Sequence, residues 1–540
     1  MNSITNTNQF FLKFKFVFVM LCLLSISPLL FSQSNVKVNN KKVEIVNAEA
    51  LNVDNKIGDG AKRLVGNVQF KQENTLMFCD SAYFYKDNSL DAFGRVHIQQ
   101  PDDSTDLYGD KLNYNGNTKK AVLTNNVVLD KGDMHLTTAV LNYNTSTRIA
   151  DYPTPGRITS KQNVLTSHKG YFFGKTNDLT FKDSVVLTNP QFVINCDTMR
   201  YNIKSKIAYF KGPTTIKSKE NLIYCEDGWY NTQKDLSRFT KNSYIITHEQ
   251  KMWGDSVFYD RKKGLGKALH HVQIIDTVQH LIITGDYATH DEFQDLSIVT
   301  GKPELMQIGD KDTLFLHGDT LKSVGSNKRK DADTLHKKPF TVASDTVNAK
   351  DTTSTKLFVY HHVKFFRKDL QGTCDSIVYY SKDSTMHLYT NPILWSDSNQ
   401  LTGDSVWLVV GNKSLHTMEL FGTAFIASQE DSLRYNQIRG KYMKGFFKNN
   451  ELYRVNVVGN GQTIYYVKED EKIKSVNRAD CTDLHIFLKD RQINKINFIT
   501  RPDATLFPLD KVDIKDLKLK GFLWRADARP LKRSDIFIPR

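Results

Sequence analysis

The sequence predicts an all-β protein, an elongated and open folded solenoid of two-strand units repeating about every 29 residues, and three observations predict it. The first is a recurring hexapeptide: CDSAYF at Cys79, GDKLNY at Gly109, CDTMRY at Cys196, GDSVFY at Gly254, CDSIVY at Cys374 and GDSVWL at Gly403. Each is a small residue followed by Asp, with an aliphatic or small residue at the fourth place and often Tyr at the sixth. Weaker copies start at Ala48, Thr138, Ser167, Cys225, Gly285, Gly318, Ser344, Gly440 and Cys481, and the spacing is constant from Gly109 to Gly254. The second is an intervening pattern, seen in LVGNVQF ending at Phe70, AFGRVHI ending at Ile98, LTNNVVL ending at Leu129, LHHVQII ending at Ile275 and LFGTAFI ending at Ile426. The third is strict alternation of Val, Ile, Phe and Tyr with polar residues between turns such as Lys86-Asp87-Asn88 and Asn115-Gly116-Asn117, which is the period of a strand and not of a helix.

Parity gives these strands a shape. Before the small-Asp anchor the apolar residues sit at even offsets (Phe192 and Ile194 before Cys196), and after it at odd offsets (Met199 and Tyr201). Side chains alternate faces with period two, so a parity change demands a bulge or corner at the anchor if one face is to stay buried. The second strand of each unit has a comparable corner at Gly66-Asn67, Gly94-Arg95, Gly156-Arg157, Gly301-Lys302 or Gly422-Thr423, where glycine tolerates the backbone needed. Bent strands stacked in series make a trough folded along its length, apolar from end to end and closed at neither end.

In chain order, residues 1–32 read as a secretory signal: Lys13 and Lys15 precede the apolar run from Phe16 to Leu24, and cleavage falls near Ser32. An uncleaved anchor is the alternative. Residues 33–321 carry the first set of repeats. A charged, flexible surface loop at 322–338 replaces one second strand, 339–500 hold further repeats, and 501–540 form a basic tail that caps the last open edge or docks a partner. The 540 residues are 40% hydrophobic and 24% charged with a formal net charge of +14, which excludes a disordered or polytopic membrane chain and suits an anionic partner. Export sets nucleic acid aside and favours the periplasm.

The chemistry-bearing residues repeat with the fold. Cys79, Cys196, Cys225, Cys374 and Cys481 all stand where glycine otherwise does, and read as small buried side chains. The anchor aspartates (Asp80, Asp110, Asp197, Asp255, Asp286, Asp319, Asp345, Asp375 and Asp404) recur too regularly for an active site and are expected to bond to nearby backbone N–H groups. His270-His271 and His361-His362 occupy second-strand corners with rings on opposite faces, a poor arrangement for a shared metal. No zinc spacing, G-x-S-x-G, Walker loop or dinucleotide fingerprint occurs, so neither catalytic residue, metal nor cofactor is expected.

The GD-x-x-x-Y elements at Gly109 and Gly254 and the Gly66-Asn67-Val68 element resemble the OstA-like proteins, which include the LptA-type periplasmic lipopolysaccharide-transport bridge and the periplasmic domain of its outer-membrane partner LptD. The likeness runs over most of residues 43–466. It implies a β-jelly-roll, or β-taco, whose interior shelters acyl chains, in a long Bacteroidetes-type member without the C-terminal barrel of the outer-membrane protein. It also implies lipopolysaccharide or a related lipid as cargo, other envelope transport proteins at the inner and outer membranes as partners, and end-to-end self-association as a further expectation.

The inward places given by parity nominate a lipid groove of Leu112, Tyr114, Ile194, Met199, Tyr201, Val257, Tyr259, Ile283, Leu316 and Ile377. A trough filled by its own side chains would give the same sequence. Two rivals stand beside a lipid carrier: a secreted β-solenoid adhesin or scaffold, which would turn aromatics outward to bind glycans or proteins, and a β-helical polysaccharide lyase or hydrolase, which would need a localised acidic or basic cluster that breaks the repeat.

Overall fold

A computed structural model describes residues 42–54, 60–325 and 355–539, apart from residues 103, 220, 247–249, 278–279, 292, 310–311, 412–413, 449–450, 470–471, 490–491 and 514–516. The signal segment, most of the 322–338 loop and the weak repeat copy at Ser344 with Asp345 lie outside the described residues. What is described is one antiparallel sheet of 36 strands, β1 (Glu44–Asn47) to β36 (Asp503–Pro508), in which successive unbroken strands pair and a strand divided at its bend pairs as two pieces. The only helical pieces among the described residues are short 3-10 turns in the tail.

The bend has a definite construction. Between β3 (Ala61–Gln72) and β4 (Thr75–Phe84), Val65 pairs with Ser81 and Val68 with Cys79, so Gly66 and Asn67 face the single residue Asp80. Both take left-handed backbone, φ 81° and 42°. Two successive residues with positive φ reverse the pleat, as in a type I′ turn, and the strand folds over while its apolar face stays inside. The same pair recurs at Gly94-Arg95, Asn125-Asn126, Asp183-Ser184, Lys241-Asn242, His270-His271, Gly301-Lys302, His361-His362 and Gly459-Asn460, mostly Gly, Asn, Asp and His, the residues that tolerate this region best. The anchor corner and the second-strand corner are thus one bulge seen from its two strands.

Gly156-Arg157 departs from this expectation. Both residues lie in regular β10 (Gly156–Ser160), paired with Thr138 and Thr137 of β8 (Met134–Asn144), and the break falls at residues 153–155, between β9 (Ile149–Tyr152) and β10. Pro153 and Pro155 cannot donate to a ladder, so the leg is severed there and not bent. Gly156 is needed for space: a Cβ would lie 2.6 Å from the Tyr152 ring, which Gly170 also accommodates from the other side.

Each strand contributes two legs to the folded sheet. We call the leg before the anchor the A leg and the leg after it the B leg. The inside is lined by cross-strand rows, one of them in the A legs, one in the B legs and a further B-leg row through Tyr114, Tyr201 and Tyr259. In the A legs Phe70, Met77, Ile98, Leu107, Leu129 and Leu136 face one another in register, and the row continues through Ile194, Ile245, Leu305 and Leu316 to Leu401 and Ile438. In the B legs the row includes Leu64, Ala82, Ala92, Leu112 and Leu123, and later Met199, Phe239, Val257, Ala268, Val359 and Ile377. Burying one such aliphatic side chain contributes roughly 1.5–3 kcal/mol, and the array adds these contributions strand by strand.

Two other expectations change. β24 (Thr320–Val324) pairs directly with β25 (Lys356–Arg367), Thr320 opposite Tyr360 and Val324 opposite Lys356. β25 takes the place of the second strand, so no strand is missing there. At the other end, the array runs on to β36, beyond residue 500. The tail then leaves the last edge and turns back across the outer face of the A legs. There Gln437 donates to Leu517 O (2.9 Å) and accepts from Leu519 N (2.8 Å), while Gln400 donates to Leu523 O (2.6 Å) and accepts from Arg525 N (2.7 Å). Each glutamine amide mimics one rung of a ladder. Further along, Arg529 donates to Gln371, and Arg533 grips Glu304 of β22 (Glu304–Ile308) through two bonds of 2.7 and 2.6 Å. Beneath this strap lies a second apolar layer that includes Phe425, Ala427, Ile464, Tyr466, Leu517 and Leu519.

Candidate functional site

The inner face of the folded sheet is the candidate site, and its openness varies along the chain. In the N-terminal section the tips of the two legs meet. Asn88 accepts from the Val43 N–H (2.9 Å), Gln72 donates to Gly116 O (2.8 Å), Lys119 reaches Glu73 at 2.8 Å, Gln100 donates to Thr145 O (3.4 Å), and Arg148 pairs with Asp102. Tyr114 rises from the B leg and donates to Gln72 of the A leg. The jaw is shut here, and Phe70, Leu90, Ile98, Leu107, Leu123 and Leu141 have no solvent exposure. Over this section the inside is filled by its own side chains and the two legs are joined along the side by hydrogen bonds between polar tips.

The middle differs. Apart from the layer under the strap, the buried apolar residues divide into two core clusters, one ending at Phe239 and the next beginning at Val257. Between and around that break the A-leg row is only partly covered: Leu187, Ile216, Ile223, Ile245, Met252, Ile274 and Ile283 all retain solvent access. The equivalent repeat positions on either side, Met77, Leu107, Leu316 and Leu401, are at 4% or less, as is Ile194 at the N-terminal edge of the section.

All ten groove candidates fall on the inner rows. Leu112, Tyr114, Ile194, Met199, Val257, Leu316 and Ile377 are buried core, while Tyr201, Tyr259 and Ile283 are partly exposed. Sequence reasoning passed over Ile223, Ile245, Met252 and Ile274. Ile223 and Met252 stand two places before the anchors Cys225 and Gly254, and Ile245 and Ile274 are their cross-strand partners, so parity could have found them.

The anchor carboxylates are structural. They bond chiefly to the side chain of the second corner residue on the next strand, and less to backbone N–H groups than the sequence suggested: Asp80 takes Arg95 (2.9 Å), Asp110 takes Asn126 (2.7 Å), Asp255 takes His271 (2.9 Å), Asp319 takes His362 (2.9 Å) and Asp404 takes Thr423 (2.7 Å). The bend holds both partners within reach, whereas the N–H groups remain in the ladder. His271 is raised above the ordinary imidazole range by its hydrogen bond to Asp255 and then by that carboxylate's charge. The pair's small, solvent-screened contribution is therefore present below the ordinary imidazole value and fades as pH rises through the raised one. An NMR titration should place His271 above a free imidazole, and Asp255→Asn should return it; an unshifted His271 would refute the pairing.

Cys79, Cys196, Cys225, Cys374 and Cys481 are free and buried. Burial, then the adjacent carboxylate, pushes the first three thiols up to about 12, so they are inert packing atoms. Among the described residues no group of His, Cys, Asp and Glu could hold a metal ion. One concavity of about 710 Å³ is lined by residues including Asn126, Thr138, Arg157 and His168.

Residues 40–197 match the family of OstA-like proteins. Among solved structures, the chain is similar to LptH of Pseudomonas aeruginosa, described as the LptA-homologous periplasmic component of the lipopolysaccharide transport device, at 13% identity and a TM-score of 0.17, covering 18% of this chain and 75% of that one. No curated protein matches.

Proposed function

We propose that this chain, whose residues 40–197 match the family of OstA-like proteins, is a non-enzymatic lipid carrier of lipopolysaccharide-type transport, placed in the periplasm and working in outer-membrane assembly with partner proteins at the two membranes. One observation carries the reading: a register-true, largely aliphatic row of side chains runs along the inside of the sheet and is partly solvent-accessible in its middle, at Ile223, Ile245, Met252, Ile274 and Ile283. Shielding a chain from water is worth about 0.8 kcal/mol per buried methylene, so such a surface lowers the cost of carrying acyl chains through an aqueous compartment. The repeating carboxylates and inert thiols offer nothing that would make or break a bond.

A second reading, a glycan-binding surface protein, draws on aromatic stacks of the outer face, such as Tyr224 on Tyr244 at 5.0 Å and His387 on Trp407 at 4.1 Å. Cross-strand stacks of this kind also stabilise a sheet by themselves. A photo-crosslinking residue at Met252, on the inner row, and at Trp253, its outward neighbour, separates the two in cells producing the full chain. Lipid adducts at Met252 alone are expected; polysaccharide adducts at Trp253 with none at Met252 would overturn the carrier.

A further inference from the structure

We propose that the central section, from β13 (Asp178–Asn189) to β20 (Leu281–Asp291), is a lateral binding site for an amphiphile with a phosphorylated headgroup, taken in through the side of the molecule and not along its length. The inference rests on the carrier reading and goes further by placing the ligand and its charge.

The first observation is the local loss of cover. Tyr114, Tyr143, Tyr201, Tyr230 and Tyr259 occupy the same place in successive or near-successive repeats. The first two are buried, at 0% and 3%, and the last three are partly exposed. Across the sheet these three alternate with Ala208, Ser237 and Gly266. Opposite them, Ile223, Ile245, Met252 and Ile274 offer an accessible aliphatic wall.

The second observation is independent of the first. The B-leg tips of this same section carry exposed cations: Lys175, Lys204, Lys206, Lys234, Lys262 and Lys263. Of these, Lys262 donates to the Gln233 carbonyl (3.0 Å) and Lys263 lies 3.9 Å from Asp260, both within the B leg, whereas in the shut section the corresponding cations, Lys119 and Arg148, are spent on Glu73 and Asp102 of the opposite leg. The central tip at 232–235 also holds an acid, Asp235, which accepts from the Tyr230 hydroxyl (2.6 Å); beyond the central section the tip at 293–295 ends in Asp295 and the one at 381–384 mixes Lys382 with Asp383. Basic tips and uncovered inner wall coincide, with the cations on one lip of the apolar surface. Successive B-leg tips are two strands apart, about 9.6 Å, so several can meet a headgroup bearing more than one phosphate while its chains lie inward. Sealed packing on the N-terminal side and buried rows on the C-terminal side confine the chains to this window.

The test uses the full chain with a photo-crosslinking residue at Met252 or Ile274 in the window, or at Leu107 in the shut section. Each is mixed at low salt with dilauroyl phosphatidylglycerol or with dilauroyl phosphatidylcholine. The same proteins are made with Lys204, Lys206, Lys262 and Lys263 changed to Glu, and circular dichroism checks that they fold. Expected are adducts at Met252 and Ile274 but not Leu107, about tenfold more with the anionic lipid, and loss of that preference in the charge-reversed protein and at high salt. Equal labelling at Leu107 would overturn the lateral window, and labelling at Met252 indifferent to lipid charge and to the lysine changes would overturn the phosphate lip, both leaving the carrier standing. No lipid adduct at any inner position would sink the carrier itself.

Discussion

Replacing Phe70 by alanine is expected to loosen the N-terminal section by roughly 3–5 kcal/mol and to leave the C-terminal strands untouched. Phe70 has no solvent exposure, lies opposite Met77 across the A-leg sheet, and meets Phe84 of the B leg with ring centroids 5.9 Å apart. It is therefore a pin through both legs, and no nearby side chain can swing in to refill the space. In a stacked array each unit touches only its neighbours, so the loss stays local. Amide hydrogen exchange is the measurement. Protection should fall in β3, β4 and β5 (Ser89–Gln100) and hold in β33 (Glu451–Glu469) and β34 (Lys472–Lys489). Uniform loss across the chain would contradict the array picture, and unchanged protection near residue 70 would contradict the pin.

Truncation after Pro508 is expected to convert the C-terminal half into an aggregating, protease-sensitive species while the central window stays folded. The strap covers an outer face in which Trp395 is fully buried and Phe425, Ile464 and Tyr466 are nearly so. Exposing such a contiguous apolar patch invites association, and Gln371, Gln400 and Gln437, all under 4% exposed, lose bonds from the tail. A milder variant isolates one contact. Arg533→Ala leaves Glu304, whose side chain is 5% exposed, without its bidentate partner, at a cost of about 1–3 kcal/mol to strap docking. Limited proteolysis of the full chain and of both variants reads this out. Should the truncated protein stay monomeric with normal protection from β26 (Leu370–Tyr380) to β33, the strap is dispensable.

Much of this was legible without coordinates because a strand's side chains alternate with a fixed period. A parity change flanking a small residue and Asp, as at Gly109-Asp110, can be read as a bend from the sequence alone, and every inner residue named from parity lies on an inner row. Gly156-Arg157 misled because the glycine there makes room for the Tyr152 ring and does not supply left-handed backbone. The strap had no repeat to betray it: Gln371, Gln400 and Gln437 look like ordinary outward polar residues until a distant segment lies on them.

Sequence by itself determined which side chains point inward, where each strand bends and that the units stack, since these follow from backbone geometry within and between adjacent strands. Only the tertiary structure decided where the jaw is shut and where it stands open. Tyr114 and Tyr230 hold the same place in their repeats, yet one is sealed by Gln72 across the jaw and the other keeps contact with water. The distance between two legs is set by residues far apart in the chain that meet at the tips, and no local pattern encodes it.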